Sequence, residues 1–198
     1  MSRLQHPGCF VTGTDTEVGK SHVSAALLHL LGTLGWRSAG YKPVAAGAVW
    51  QDGQLVNDDV LLLQQASSVA LTLGEVCSSV YETACAPHLA AQQEQRPIDR
   101  TRLLQGAHAL ARRADVLVIE GVGGFCVPLG GSGAHDFDSA DLAQDFGLPV
   151  LLVVGLRLGC LNHALLTAEA VRARGLRLAG WVANSLQPHW PQQRANVD

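Results

Sequence analysis

The chain has 198 residues, 47% of them hydrophobic, and a formal net charge of −3 at neutral pH. That length suits one domain with a real core, and the hydrophobic share excludes disorder as the default. No apolar run is long and charge-free enough to span a bilayer, no secretory h-region precedes Gly8, and no basic block is present, so neither membrane nor nucleic acid is an expected partner.

In chain order, the first expected strand covers residues 10–12, and the first helix covers residues 21–34, where Val23, Ala26, Leu27, Leu30 and Leu34 recur at helical spacing. Between them runs Gly13-Thr14-Asp15-Thr16-Glu17-Val18-Gly19-Lys20-Ser21. The strict pattern G-x-x-x-x-G-K-[ST] would put glycine at Thr14, but the glycine is Gly13, so this reads as a phosphate loop with one extra residue. Amides at a helix start, together with the helix dipole, cradle an anion. Lys20 can reach the outer phosphates, and the Ser21 hydroxyl can hold Mg²⁺. Thr14, Asp15 and Thr16 offer side chains to a polar substrate, or only turn-forming groups.

Further strands are expected over residues 38–43, 116–120, 150–154 and 178–183, and further helices over 59–66, 99–113, 140–146 and 162–174. Gly35 and Gly175 sit where helix ends want a left-handed residue. The runs Val116-Leu117-Val118-Ile119 and Val150-Leu151-Leu152-Val153-Val154 are apolar on both faces, as buried parallel strands are. Alternating strands and helices of this kind imply a doubly wound, mostly parallel α/β sheet, a three-layer sandwich with the site beyond the strand carboxyl ends.

Four loops leave those ends. The second carries Lys42 and Pro43, where another lysine could offset charge that builds during phosphoryl transfer. The third is Glu120-Gly121-Val122-Gly123-Gly124, an acid at a strand end suited to Mg²⁺ or its water, followed by glycines that admit a close ligand. The fourth runs from Gly155 to His163. Asp58 reads as a helix cap, and Asp58 or Asp59 could supply another metal contact. Asn162 reads as a cap for the helix that follows it. Asn184 could read a base edge or form a turn. Trp181, inside a strand, reads as core, and Asp138-Ser139-Ala140-Asp141 reads as a helix start. Cys9, Cys77, Cys85, Cys126 and Cys160 are scattered, odd in number and without a C-x-x-C pair, so they read as reduced thiols of a cytoplasmic protein. The eight histidines show no metal-ligand spacing.

The phosphate loop, Ala39-Gly40-Tyr41-Lys42-Pro43-Val44, Glu120–Gly124, the run Gly159-Cys160-Leu161-Asn162-His163-Ala164 and Ala179-Gly180-Trp181-Val182-Ala183-Asn184 together, in this order, resemble the dethiobiotin synthetase family. The resemblance covers nearly the whole chain. It implies a single P-loop ligase domain over residues 1–198, short at its C-terminus. It also implies a reaction of 7,8-diaminononanoate with CO₂ and ATP, through a phosphorylated carbamate, to dethiobiotin. In such enzymes Lys20, Lys42 and Thr16 take catalytic roles, and Mg²⁺ is held by Ser21, Asp59 and Glu120. The nucleotide lies along Glu17, Val18, Gly19, Lys20, Ser21 and His22, against Glu120, Gly121, Val122 and Gly123, with Asn184 at the base. The substrate meets Ala46 and, across a homodimer interface, Leu158, Gly159, Cys160 and Asn162.

Two departures stand out. Ala46 occupies a substrate-contacting position where the family often has serine. Family chains also continue past the Ala183-Asn184 strand with a segment lining the adenine pocket, where this chain carries a polar stretch from His189 to Asp198. Two other architectures match less well. Partitioning or switch ATPases usually carry a second lysine early in the loop, where this chain has Asp15. Amide ligases of the corrinoid pathway usually carry an added glutamine-hydrolysing domain.

Overall fold

The computed structural model describes residues 4–130, 137–186 and 194–197. Much of the polar stretch noted above, residues 189–193 and 198, lies outside the described residues; Arg194–Asn196 forms a short 3₁₀ turn. In chain order the elements are β1 (Gly8–Gly13), α1 (Lys20–Thr33), β2 (Ser38–Tyr41), β3 (Val44–Ala45), β4 (Val49–Gln51), β5 (Gln54–Val56), α2 (Asp58–Ala66), α3 (Leu73–Val76), β6 (Ser79–Val80), α4 (Pro87–Gln93), α5 (Arg100–Ala111), β7 (Val116–Glu120), β8 (Pro128–Gly130), β9 (Phe137–Asp138), α6 (Ser139–Phe146), β10 (Val150–Leu156), α7 (Cys160–Ala173) and β11 (Leu178–Ser185).

Five strands form one parallel sheet in the order β11-β10-β1-β7-β2. Alternate residues of each central strand go to opposite faces. Phe10, Leu117, Ile119 and Val150 enter one core with Leu103 and Leu110 of α5 and Phe146 of α6. Val11, Val118 and Val153 enter the other with Leu28 of α1 and Val60 and Leu63 of α2. Burial on both faces explains why these strands read as unbroken apolar runs, and the doubly wound α/β expectation holds. Placing β7 between β1 and β2 brings the carboxyl ends of three strands together at the rim where β1 runs into the loop before α1.

Gly35 and Gly175 have φ of 83° and 68°, as expected of helix ends. Asp138 and Asp141 form a reciprocal capping box at the start of α6. Four expectations fail, three for local reasons and one through strand order. The expected strand over residues 38–43 stops at Tyr41, because the Lys42 amide leaves the sheet and donates to Val76 O at 2.8 Å. The cap of α2 is Asn57 rather than Asp58; its Oδ1 accepts from the Asp59 and Val60 amides. Asn162 lies inside α7, which starts at Cys160 after a left-handed Gly159. Trp181 is not core: β11 is an edge strand, and the residue is 49% exposed.

Sequence reasoning also passed over the β4–β5 hairpin, although its Asp52-Gly53 pair is a strong hairpin signal. Both residues have positive φ, 50° and 78°, as a two-residue primed turn requires. It passed over α3 as well, whose Thr72 and Glu75 form a capping box.

Tyr41 anchors β2. Its hydroxyl is buried, donates to Leu103 O at 2.8 Å and lies 2.6 Å from Ser78 Oγ. A Cβ on Gly106 would fall 2.4 Å from that hydroxyl and 2.6 Å from Ser78 Oγ. Gly106→Ala gains up to about 1 kcal/mol of helix propensity, but forcing a methyl into a filled site costs about 1–3 kcal/mol. The clash is expected to win, with Gly106→Ala losing about 1 kcal/mol or more of stability in a urea titration.

Candidate active site

Four charged or polar side chains from four segments of the chain meet below the phosphate loop. Glu120, the last residue of β7, has no exposed surface. Its Oε1 accepts from Lys42 Nζ at 2.6 Å and from Ser21 Oγ at 2.7 Å. Lys42 also donates to Asp59 Oδ2 at 2.7 Å. Lys42 follows β2, and Ser21 and Asp59 lie in the first turns of α1 and α2, so the cluster ties three segments to the end of β7.

A buried ion is costly unless it is paired and hydrogen-bonded. For Lys42, burial opposes the charge, but Glu120 and then Asp59 outweigh it and hold the ammonium above the ordinary lysine range. Burial likewise opposes the Asp59 charge, yet Lys42 turns the balance and keeps Asp59 below the usual carboxylate range. Lys20 differs. Burial first, then repulsion from Lys42, bring it down to about 8, against the pull of Glu120, Asp59 and Asp15. Its ammonium donates to the Asp15 carbonyl at 2.8 Å.

The phosphate loop bends sharply. Gly19 has φ of 89°, and a Cβ there would lie 2.1 Å from Asn184 Nδ2, so only glycine fits. Glu17, at φ 58°, is a non-glycine residue in the left-handed region. Three contacts dock the loop on the β10–β11 side: the Thr14 amide donates to Val153 O at 3.0 Å, Asn184 Nδ2 donates to Val18 O at 2.9 Å, and Arg157 pairs with Asp15. Asn184, read in sequence as a base contact or a turn, thus holds the loop with one of its amide hydrogens.

A cleft of about 920 Å³ opens over this cluster. Thr16, Glu17, Gly19, Lys20, Ser21 and His22 form one side, and Lys42, Asp59 and Ala46 lie at its floor. Val122, Gly123, Gly124 and Val127 form another part of its lining. Ala84, Cys85, Ala86 and Pro87 complete an apolar wall that sequence reasoning missed; Pro87 at the first position of α4 was its available signal. Gly121 packs against Phe10 beneath the cleft. Leu158, Gly159, Cys160 and Asn162 are not part of this cleft lining. They form the turn into α7 and its first residues, where Leu158 and Asn162 are exposed and the Cys160 side chain is buried.

Glu120 Oε2 is buried without a hydrogen-bond partner. With Ser21 Oγ and Asp59 it makes a set of hard oxygen donors that fits Mg²⁺, an ion held by one or two carboxylates plus phosphate oxygens. All five cysteines are free, no group of three or more His, Cys, Asp or Glu suited to a metal occurs among the described residues, and no helix among them is long and apolar enough to cross a membrane.

A parallel sheet with this loop and this lysine-carboxylate cluster at its carboxyl edge defines a P-loop nucleoside triphosphatase architecture. Solved structures agree on the fold: the BceF tyrosine kinase domain is similar with a TM-score of 0.52 at 18% identity, over 91% of this chain and 69% of that one. The chimerical protein CapA2B2 is similar with a TM-score of 0.51 at 17% identity, over 91% and 76%. The family described as AAA domain matches residues 8–198. ATP-dependent dethiobiotin synthetase BioD of Aromatoleum aromaticum (strain DSM 19018 / LMG 30748 / EbN1) is 50% identical over 189 residues, 96% of this chain and 82% of that protein. The enzyme of the same name from Ralstonia nicotianae (strain ATCC BAA-1114 / GMI1000) is 51% identical over 176 residues, 89% of this chain and 75% of that one. The chain belongs to the ATP-dependent dethiobiotin synthetase family, and with that membership comes ATP-dependent ligase chemistry.

Removing one member of a buried ion pair leaves the other uncompensated, at about 3–5 kcal/mol. Lys42→Ala is therefore expected to lose about that much stability at neutral pH in chemical denaturation. The double variant Lys42→Met with Glu120→Gln, which removes both charges, should recover most of it.

Proposed function

We propose that this chain closes the ureido ring of dethiobiotin. One amine of 7,8-diaminononanoate takes up CO₂ and releases a proton, giving a carbamate. The carbamate oxygen attacks the γ-phosphorus of ATP, forming a carbamic–phosphoric anhydride and releasing ADP. The second amine then attacks the carbamate carbon, phosphate leaves, and the ring closes. The observation that carries this reading is the meeting of Ser21, Lys42, Asp59 and Glu120 beneath the phosphate loop and beside an apolar wall, in a chain of this family.

Each residue has work in that scheme. A carbamate is a poor electrophile, so the protein must mainly hold anions in line and offset the charge that builds between them. Lys42 is fixed by two carboxylates, so its ammonium stabilises the transferring phosphoryl without reorganising. Lys20 is placed to exchange the Asp15 carbonyl for a phosphate oxygen. Thr16, whose hydroxyl lies beside Gly123, orients the reacting end of the diamine. Glu17 to His22 and Glu120 to Gly123 line the nucleotide, and Asn184 keeps its amide oxygen for the base. Mg²⁺, held by Ser21, Asp59 and Glu120, would neutralise phosphate charge when bound. Ala46, Ala84 and Pro87 cover the methylenes of the diamine. Ala46 supplies no hydroxyl, so the amine contact falls to the Ala46 backbone and neighbouring groups.

The carboxylate tail is assigned to the start of α7 in a second subunit, at Leu158, Gly159, Cys160 and Asn162. The opening amides of a helix have no intrahelical partner and favour an anion. A homodimer accounts for the outer face of α7, where Leu158, Leu161, Leu165 and Leu166 are 91%, 53%, 67% and 57% exposed. Apolar surface of that extent marks an interaction site. We also place the protein in the cytoplasm, because free thiols persist in reducing compartments, and read residues 8–198, matched by one family model, as a single ligase domain.

ADP release is expected only when ATP, Mg²⁺, bicarbonate and diaminononanoate are all present; turnover indifferent to the diamine would defeat this reading. Lys42→Gln should lower kcat by about 100-fold or more, with the KM for ATP little changed. Leu165→Glu is expected to halve the mass seen by light scattering and to raise the KM for the diamine more than that for ATP.

A further inference from the structure

Arg157 joins two parts of the molecule that the mechanism keeps separate. Its carbonyl accepts the Cys160 amide at 3.0 Å, which shapes the turn into α7. Its guanidinium reaches back to Asp15 Oδ2 in the phosphate loop. Asp15 makes two further contacts within that loop: Oδ1 accepts the Thr16 amide at 2.8 Å, and its carbonyl accepts Lys20 Nζ at 2.8 Å. Any change that moves Lys20 off the Asp15 carbonyl therefore acts on the residue that Arg157 grips. Both side chains of the pair are 47% exposed, and an ion pair that open to water adds little to stability. Its effect lies in geometry.

We propose that Arg157 is a positioning residue that couples nucleotide binding at the phosphate loop to capture of the substrate carboxylate at the start of α7. This inference rests on the assignment of that carboxylate to α7 made above. Because the tail belongs to substrate held by the partner subunit, the coupling passes from one active site of the dimer to the other. By linkage it is reciprocal: each ligand tightens the other by the same factor.

The test measures the dissociation constant of a non-hydrolysable ATP analogue with Mg²⁺, with and without saturating diaminononanoate, and the converse. The wild type is expected to show the same enhancement, of about five-fold or more, in both directions. In Arg157→Ala the ratio should fall to about one while each ligand alone binds nearly as before. Arg157→Lys, which keeps a cation, should restore part of the coupling. Asp15→Asn combined with Arg157→Ala should lose no more than Arg157→Ala does. A merely structural role would change the separate affinities and leave their ratio alone. A wild-type ratio of one, or wild-type coupling in Arg157→Ala, overturns the inference. Failure of the wild type to bind the diamine at all overturns the functional reading, and this inference with it.

Discussion

The ion pair between Lys42 and Glu120 is the constraint on which the rest of the structure turns. Two charges are held almost wholly out of water, at 2.6 Å. Such a pair persists only where its surroundings supply the remaining contacts. Ser21 and Asp59 do so, and by doing so they lock the starts of α1 and α2 against the ends of β2 and β7. The apolar layers on either face of the sheet give the fold its stability in bulk. The buried pair ties together the segments at the carboxyl ends of β7 and β2, beside the loop that leaves β1.

That arrangement also divides the phosphate loop's supports from its chemistry. The loop is fastened on the β10–β11 side, through Val153, Asn184 and Arg157. The groups that would act on phosphate lie on the other side, along β7 and β2. The loop is therefore positioned by one half of the sheet and used by the other. Lys20 bridges the halves, and its lowered proton affinity follows from standing buried beside another ammonium.

Much of this was legible in the chain. The apolar strands are readable because both faces are covered, and the phosphate loop survives its extra residue because strand, glycine, lysine, hydroxyl and helix keep their order. Lys42 and Glu120 could be named as candidates because each stands at the end of a strand. Their direct pairing could not, since strand order is a tertiary fact: nothing local says that β7 inserts between β1 and β2. The cap of α2 was misplaced by one residue because Asn57, Asp58 and Asp59 are all competent caps, and backbone geometry decides among them. Trp181 was misread because an apolar strand says nothing of whether it ends up at an edge. The Ala84–Pro87 wall gave almost no signal, as small residues in a loop carry no periodicity.

The distance along the chain between Lys42 and Glu120, 78 positions, has a consequence for synthesis. A ribosome exposes the phosphate loop and the lysine long before it reaches the glutamate. Until β7 is in place, that lysine has only the partly exposed Asp59 as an ionic partner. The cluster is therefore completed by a long-range contact, not by local folding around the phosphate loop.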